Sequence, residues 1–284
     1  MQSVSIRVPA STSNLGPGYD CLGVALAIYN RITVTRVDGP VDGAHPMAQA
    51  AASRFFHAAG CGAFPFAWEI EGDVPRSRGM GSSVTLRLGL LHGLNVLAGT
   101  PLDRQRLFQI CAGLEGHPDN AAPAQFGGFT VASGTGENVA ALRFPVDEDL
   151  KFVLLIPDFE IRTDEARRLL PAEVSRLAAV ASSGRACRIT AAFAGRDYEA
   201  LRGTFEDGAF HQPHRLPLIP FLPDVVAAGT AAGALGGFLS GSGSTIACLT
   251  LRNPEKVGEA MRKASGQNAA RIIVTTADNQ GARD

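Results

Sequence analysis

The stretch SRGMGSSVT, residues 77–85, has residue types suited to chemistry on an anion. Gly79 and Gly81 permit positive φ and close backbone approach. Ser82 and Ser83 stand where a helix should begin. First-turn N–H groups have no partner inside a helix, and they carry the positive end of its dipole. A phosphate can therefore be held there without a lysine. The stretch does not match G-x-x-x-x-G-K-[ST], and it lacks the third glycine of G-x-G-x-x-G. Taken alone, it reads about equally well as a serine-capped helix after a turn.

Two further loops carry glycines. In PASTSNLGPGYDCLGVAL, residues 9–26, Asn14 and Asp20 flank a loop stiffened by Pro17 and loosened by Gly16 and Gly18. Such a loop presents polar side chains at the end of a strand, or is merely a solvated turn. In LSGSGSTIACL, residues 239–249, Gly241 and Gly243 lie between two apolar runs. They suit a plain hairpin or a backbone pressed against a ligand, and the hairpin is the simpler reading.

The elements that must position these loops follow from pattern. Alternation predicts strands over 3–10 and 26–37, and a further strand over 66–75. A turn is expected over 37–46. Residues 47–60 are alanine-rich and end on a glycine, so they read as a C-capped helix. Leu86, Leu90, Leu91, Leu94 and Leu97 recur at helical spacing and predict a helix over 82–97. Residues 103–116 read as another helix, and the segment from His117 opens a third, shorter one. A strand is expected at 129–134. The continuous apolar run KFVLLIPD, 151–158, reads as a buried strand. Residues 163–182 are expected to form one helix capped at Thr163. Helices near Tyr198 and Val226, a strand–loop–strand over 233–251, a helix from Pro254 and a closing strand from Ala270 complete the chain. Strands and helices mix without regular βαβ alternation, so the class is α+β. A composition shift over 144–151 suggests two domains, 1–148 and 149–284.

Composition excludes several functions. The chain has 284 residues, 45% hydrophobic and 19% charged, enough for a large core. The formal net charge of −1 argues against a nucleic-acid binder. Three lysines stand against 23 arginines, so anionic ligands here meet guanidinium forks and backbone N–H groups. The five cysteines are scattered without C-x-x-C and read as buried free thiols, not a disulfide frame or zinc site. The start MQSVSIRVPAST lacks a basic end followed by an apolar run, and the apolar run 225–239 is too short to span a bilayer. A soluble cytoplasmic protein is expected. His211 and His214, beside prolines, read as loop residues. His45, His57 and His92 show no evident partner.

Taken together, residues 9–26, RGMGSS, EGHPDNAAPAQFGG (115–128) and LSGSGST resemble the motifs of the GHMP kinase superfamily, and most closely its homoserine-phosphorylating branch. The matches spread over most of the chain. EGHPDN separates that branch from its cousins. The resemblance implies a ribosomal-S5-like N-terminal domain joined to a ferredoxin-like C-terminal domain. It implies transfer of the γ-phosphoryl of ATP to the side-chain hydroxyl of L-homoserine, on the route to threonine. Pro75, Arg76, Ser77, Arg78, Gly79, Met80, Gly81, Ser82, Ser83, Val84 and Thr85 would then wrap the ATP phosphates. Ser83 and Glu115 would bind Mg²⁺, which supplies the charge a lysine would otherwise give. Asp20 would take the substrate ammonium. Arg167 and Arg215 would clamp its carboxylate by forked hydrogen bonds. Asn14, His117 and Asn120 would line the hydroxyl end, with Thr163 and Gly241 nearby. Asn14, Asn120, Ser83 and Glu115 would carry the chemistry.

In this branch an asparagine stands by the hydroxyl where other GHMP kinases use an aspartate. Asp119 in HPDN is the obvious carboxylate candidate for a base but reads as structural, and the proton would then pass directly to a phosphate oxygen. The resemblance is compatible with a homodimer. Two departures stand out. Residues 38–50 lack the asparagine and aliphatic residue that the family places beside adenine, so the base would be held by packing and backbone contacts, or base preference is altered. Val84, Thr85 and Arg87 stand where family members carry small alanines. The alternatives are another small-molecule kinase of the superfamily and a non-catalytic ligand-binding relative.

Overall fold

Two long strands begin the chain and serve two cores. β1 (Ser3–Ser13) and β2 (Leu22–Arg36) pair antiparallel, with a register shift between Pro9 and Ala10. Before the shift, Ile6 and Val8 face one core with Ile32 and Val34. Beyond it, Ala10 faces a second core with Leu22, Val24 and Leu26. The computed structural model describes residues 2–39, 45–206 and 208–284. The turn expected over 37–46 lies partly outside them.

The far edge of β2 is shared. Its second half pairs with β3 (Phe66–Gly72) and its first three residues with β4 (Phe129–Thr135), which pairs in turn with β5 (Asn138–Phe144). Helices α1 (Pro46–Ala59), α2 (Ser82–Leu97), α3 (Arg104–Glu115) and α4 (Ala121–Phe126) cover this sheet. α2 lies deepest. All five leucines of the expected periodicity are buried. Gly89 and Gly93 sit against Ile32 and Val34, where a Cβ would come within 2.6 and 2.4 Å of those side chains.

The second sheet has the order β7-β8-β6-β9 and is antiparallel throughout. Its strands are β6 (Lys151–Ile156), β7 (Gly236–Leu239), β8 (Ile246–Thr250) and β9 (Arg271–Thr275). The unbroken apolar run of β6 has a direct cause. Phe152, Leu154 and Ile156 face the core shared with the first sheet, while Val153 and Leu155 face the helices behind. Those helices are α7 (Leu222–Ala231) and α8 (Pro254–Ser265). α6 (Arg176–Gly195) closes the shared core with Ile189 and Phe193, the latter stacked on Phe129 at 4.2 Å. The chain changes sheet between Phe144 and Lys151 but ends back on the first. Arg7 pairs with Arg283 and Leu26 with Ala277.

Several expectations need correction. The expected helix over 163–182 is two: α5 (Thr163–Arg168) and α6, parted by Pro171, which can neither donate nor continue a helix. Ser175 caps α6, whereas Thr163 is the first helical residue of α5 and caps nothing. β1 runs on through Ser11, Thr12 and Ser13, which pair with Ala25, Val24 and Gly23 of β2 while their hydroxyls find buried partners. β5 was not foreseen. The segment at Tyr198 is one 3₁₀ turn (Tyr198–Leu201). All five cysteines are free, but Cys21 and Cys187 are exposed.

Candidate active site

The glycine loops meet in one cleft of about 520 Å³. The end of β1 is the hinge of the assembly. Ser11 donates to Asn120 Oδ1 at 2.8 Å, and Asn120 Nδ2 donates to Ser13 Oγ at 2.9 Å. The Thr12 and Ser240 hydroxyls bond at 2.8 Å, and Asn14 Nδ2 donates to Gly241 O at 2.9 Å. Ser240 also donates to Gly79 O at 2.7 Å. The hairpin reading of residues 239–249 is therefore true of the backbone and incomplete. Its loop docks on the Gly79–Gly81 loop.

That docking explains the glycines. A Cβ on Gly79 would lie 2.1 Å from Ser240 O, and one on Gly81 would lie 2.3 Å from Ser11 Oγ. Both have positive φ, 71° and 69°. Gly81 is the N-cap of α2 and no side chain caps that helix. The first-turn N–H groups of a 16-residue helix thus open on the cleft, with the positive end of the dipole behind them.

Arg76, Ser77, Arg78, Gly79, Met80, Gly81, Ser82, Ser83 and Val84 border the cleft. Pro75 and Thr85 are buried behind it. Thr85 accepts from Asn30 and donates to Ser82 O, so its hydroxyl is used inside the fold. Arg78 turns toward Pro157 O, Asp158 and Glu160. Beyond the loop, His45, Met47, Trp68, Ile70 and Leu86 form a mainly apolar end, with His45 edge-on to Trp68 at 5.9 Å. Residues 40–44 of the segment expected beside adenine lie outside the described residues. Of its remainder, His45 and Met47 reach the cleft, and strand β3 supplies Trp68 and Ile70.

At the other end stand Asn14, Asp20, His117, Asn120, Thr163, Arg167, Arg215 and Gly241. All the residues expected at the substrate end are brought together there. Asp20 and Arg167 pair with each other, Nη2 to Oδ1 at 2.7 Å, and Arg167 Nη1 donates to Tyr19 Oη at 2.7 Å. Burial pulls the Arg167 pKa down, but the Asp20 bond and charge overcome this and the net shift is upward. Arg215 is 2% exposed. Its Nη1 donates to Gly241 O at 2.9 Å and to His211 Nδ1 at 3.1 Å. Burial lowers its pKa. A buried guanidinium facing a cleft is a ready partner for an anion.

His117 Nδ1 donates to Asp119 Oδ1 at 2.6 Å. Burial alone would lower the His117 pKa and raise that of Asp119. The bond and mutual attraction outweigh burial at both ends, so His117 is shifted up and Asp119 down. The same Oδ1 accepts from Asn120 N at 2.9 Å.

Sequence reasoning missed Tyr19 and His211. Tyr19 stacks on His211 at 5.4 Å and lies under both Arg167 and Arg215. Its place beside Asp20, within the first loop, is a signal that could have found it. His211 is fully buried and bonds Gly16 O at 2.8 Å, so it is a structural link between the first loop and Arg215. Only the fold shows this.

Ser83 Oγ donates to Glu115 Oε2 at 3.0 Å, and Arg87 Nη1 pairs with Glu115 Oε1. Two hard oxygen donors about 3 Å apart match neighbouring corners of the octahedron that Mg²⁺ demands. The donor set therefore fits the metal.

Among known proteins, the GHMP kinases N terminal domain matches residues 46–128 and the GHMP kinases C terminal domain matches residues 189–267. The chain belongs to the GHMP kinase family, the class that this fold and cleft define. Its relatives include homoserine kinases. A homoserine kinase of Microchaete diplosiphon is 37% identical over 302 residues, spanning 99% of this chain and 97% of the relative. That of Aquifex aeolicus is 36% identical, spanning 99% of each. The crystal structure of homoserine kinase from Cytophaga hutchinsonii superposes with TM-score 0.89 at 26% identity, covering 100% of this chain and 97% of that one. Within the GHMP kinases, this chain groups with the homoserine kinases. ATP use comes with the kinase family. No helix among the described residues is long and apolar enough to cross a membrane.

Proposed function

We infer that this chain transfers the γ-phosphoryl of ATP to the side-chain hydroxyl of L-homoserine. The observation that carries the reading is Arg215. It is a guanidinium at 2% exposure that borders the cleft, bonded to Gly241 O and His211. An amino-acid carboxylate there would accept from it. Arg167 and Tyr19 stand beside it, and Asp20 offers a carboxylate for the ammonium. A sugar or isoprenoid alcohol would need no such ammonium partner.

The phosphates lie along Gly79–Ser83 at the uncapped start of α2, and the base rests in the apolar end at Trp68. Ser83 and Glu115 would hold Mg²⁺, which neutralises charge on the transferring group. The substrate hydroxyl lies between Asn14, His117 and Asn120. The two asparagine amides are tied to Gly241, Ser11 and Ser13, so they fix the shape of the hydroxyl site. Asp119 is spent on His117 and the Asn120 backbone. Transfer through a loose transition state depends on position and charge more than on a base, and the hydroxyl proton leaves with a phosphate oxygen.

The test is ADP release from Mg-ATP with and without L-homoserine. Strong homoserine-dependent turnover is expected. Turnover only with another alcohol would discard the substrate and keep the kinase.

A further inference from the structure

Arg87 is a cation at a place where the family chemistry has no evident use for one. It lies four residues after Ser83, one turn along the same face of α2. Its side chain is 15% exposed and that of Glu115 is 9% exposed. Glu115 borders the cleft, whereas Arg87 stands behind it. The two oxygens of Glu115 are divided: Oε1 goes to Arg87 and Oε2 to Ser83. Arg87 Nε is buried without a hydrogen-bond partner among the described residues. The guanidinium thus depends on Glu115 for its compensation.

We propose that Arg87 is a positioning residue that weakens the metal affinity of the Ser83–Glu115 pair and so raises the magnesium concentration this kinase needs. The inference rests on reading Ser83 and Glu115 as the magnesium ligands. Partners behind a metal ligand tune its donor strength. A carboxylate or carbonyl there strengthens the ligand. A cation does the opposite: it draws charge from the carboxylate and repels the incoming metal through a nearly buried, weakly screened path. Oε2 stays available beside the Ser83 hydroxyl while Oε1 remains with Arg87. The orienting effect of the fork and the electrostatic effect of its charge act in opposite directions on affinity. At this burial the charge dominates.

The experiment titrates Mn²⁺ into the full-length chain at one fixed, saturating ADP concentration. Free Mn²⁺ is read by electron paramagnetic resonance, so no turnover is required. Arg87→Gln, which removes the charge and keeps a polar stem, is expected to tighten Mn²⁺ by about tenfold or more, through relief of a weakly screened unit-charge repulsion. Arg87→Lys keeps the charge and loses the fork, and is expected to bind like the unaltered protein. The magnesium half-saturation of turnover should shift in step with Mn²⁺ affinity. If Arg87→Gln fails to fold by circular dichroism, Arg87→Met carries the same expectation. Unchanged or weaker binding in the uncharged variant overturns the proposal, as does weakening in both Gln and Lys variants, which would mark a purely orienting role. Glu115→Gln is measured alongside. Its loss of Mn²⁺ binding with no tightening in Arg87→Gln defeats this inference alone. Retained binding in Glu115→Gln defeats the metal site itself.

Discussion

Asp119→Asn separates a structural carboxylate from a catalytic one. Asp119 is fully buried, 2% exposed, and its Oδ1 accepts from His117 at 2.6 Å and from Asn120 N at 2.9 Å. The amide keeps an acceptor but removes the charge. A charge-assisted hydrogen bond contributes about 1.5–3 kcal/mol against about 1 kcal/mol for a neutral one, so the variant should lose about 1–2 kcal/mol of stability. The pH dependence follows from the two shifts. His117 is raised, so its contribution is complete below its unfolded pKa of about 6.5 and is lost as pH rises through the folded value. Asp119 is depressed, so its contribution is present above about 3.9 and is lost as pH falls through its folded value. The pair is strongest between those limits. In the variant the Asp119 bond and charge no longer raise His117, so burial, the largest effect on it, pulls its pKa down. Urea unfolding should therefore show the full difference near pH 6 and a smaller one well above the raised His117 pKa. ADP release should fall by less than about 10³-fold, since the proton is not taken by this group. A larger fall in kcat, with unchanged stability at both pH values, would refute the reasoning and make Asp119 a base.

Other outcomes follow from the same geometry. Gly79→Ala combines a positive φ of 71° with a Cβ 2.1 Å from Ser240 O, and should lose about 1–2 kcal/mol of stability from backbone strain, while the displaced loop lowers ATP affinity by about tenfold or more. Gly60→Ala is the control. Its φ is 61° with open space around it, so it should lose about 1 kcal/mol of stability and leave ATP affinity unchanged. Both are read by nucleotide titration of Trp68, the single tryptophan, and by urea unfolding. Trp68→Ala should raise the KM for ATP by about 10- to 100-fold through lost base stacking, with kcat and the KM for homoserine unchanged. A change confined to homoserine would move the base elsewhere.

Local pattern was enough for some elements, and the reason is visible in each. α2 was legible because its leucines repeat at 3.6 residues and every one is buried. β6 was legible because both of its faces are covered, leaving no polar alternation. The start of α2 was legible because glycines and serines precede its apolar repeat. The helix break at Pro171 was written in the chain as well, but helical propensity on either side of it hid the stop. The extension of β1 was not legible. Ser11, Thr12 and Ser13 look like loop residues, but their backbone pairs with Ala25, Val24 and Gly23 of β2, and Asn120 and Ser240 take up their hydroxyls.

By itself the sequence determined which residues could bind an anion, an ammonium group and a metal, and the family motifs that order them. The tertiary structure decided how they are shared: Asp20 with Arg167, Glu115 with Arg87, and Arg215 held by His211 and Gly241. Periodicity reports which face of an element is buried. It carries no record of what lies opposite, and Asp20 meets Arg167 across 147 positions of chain.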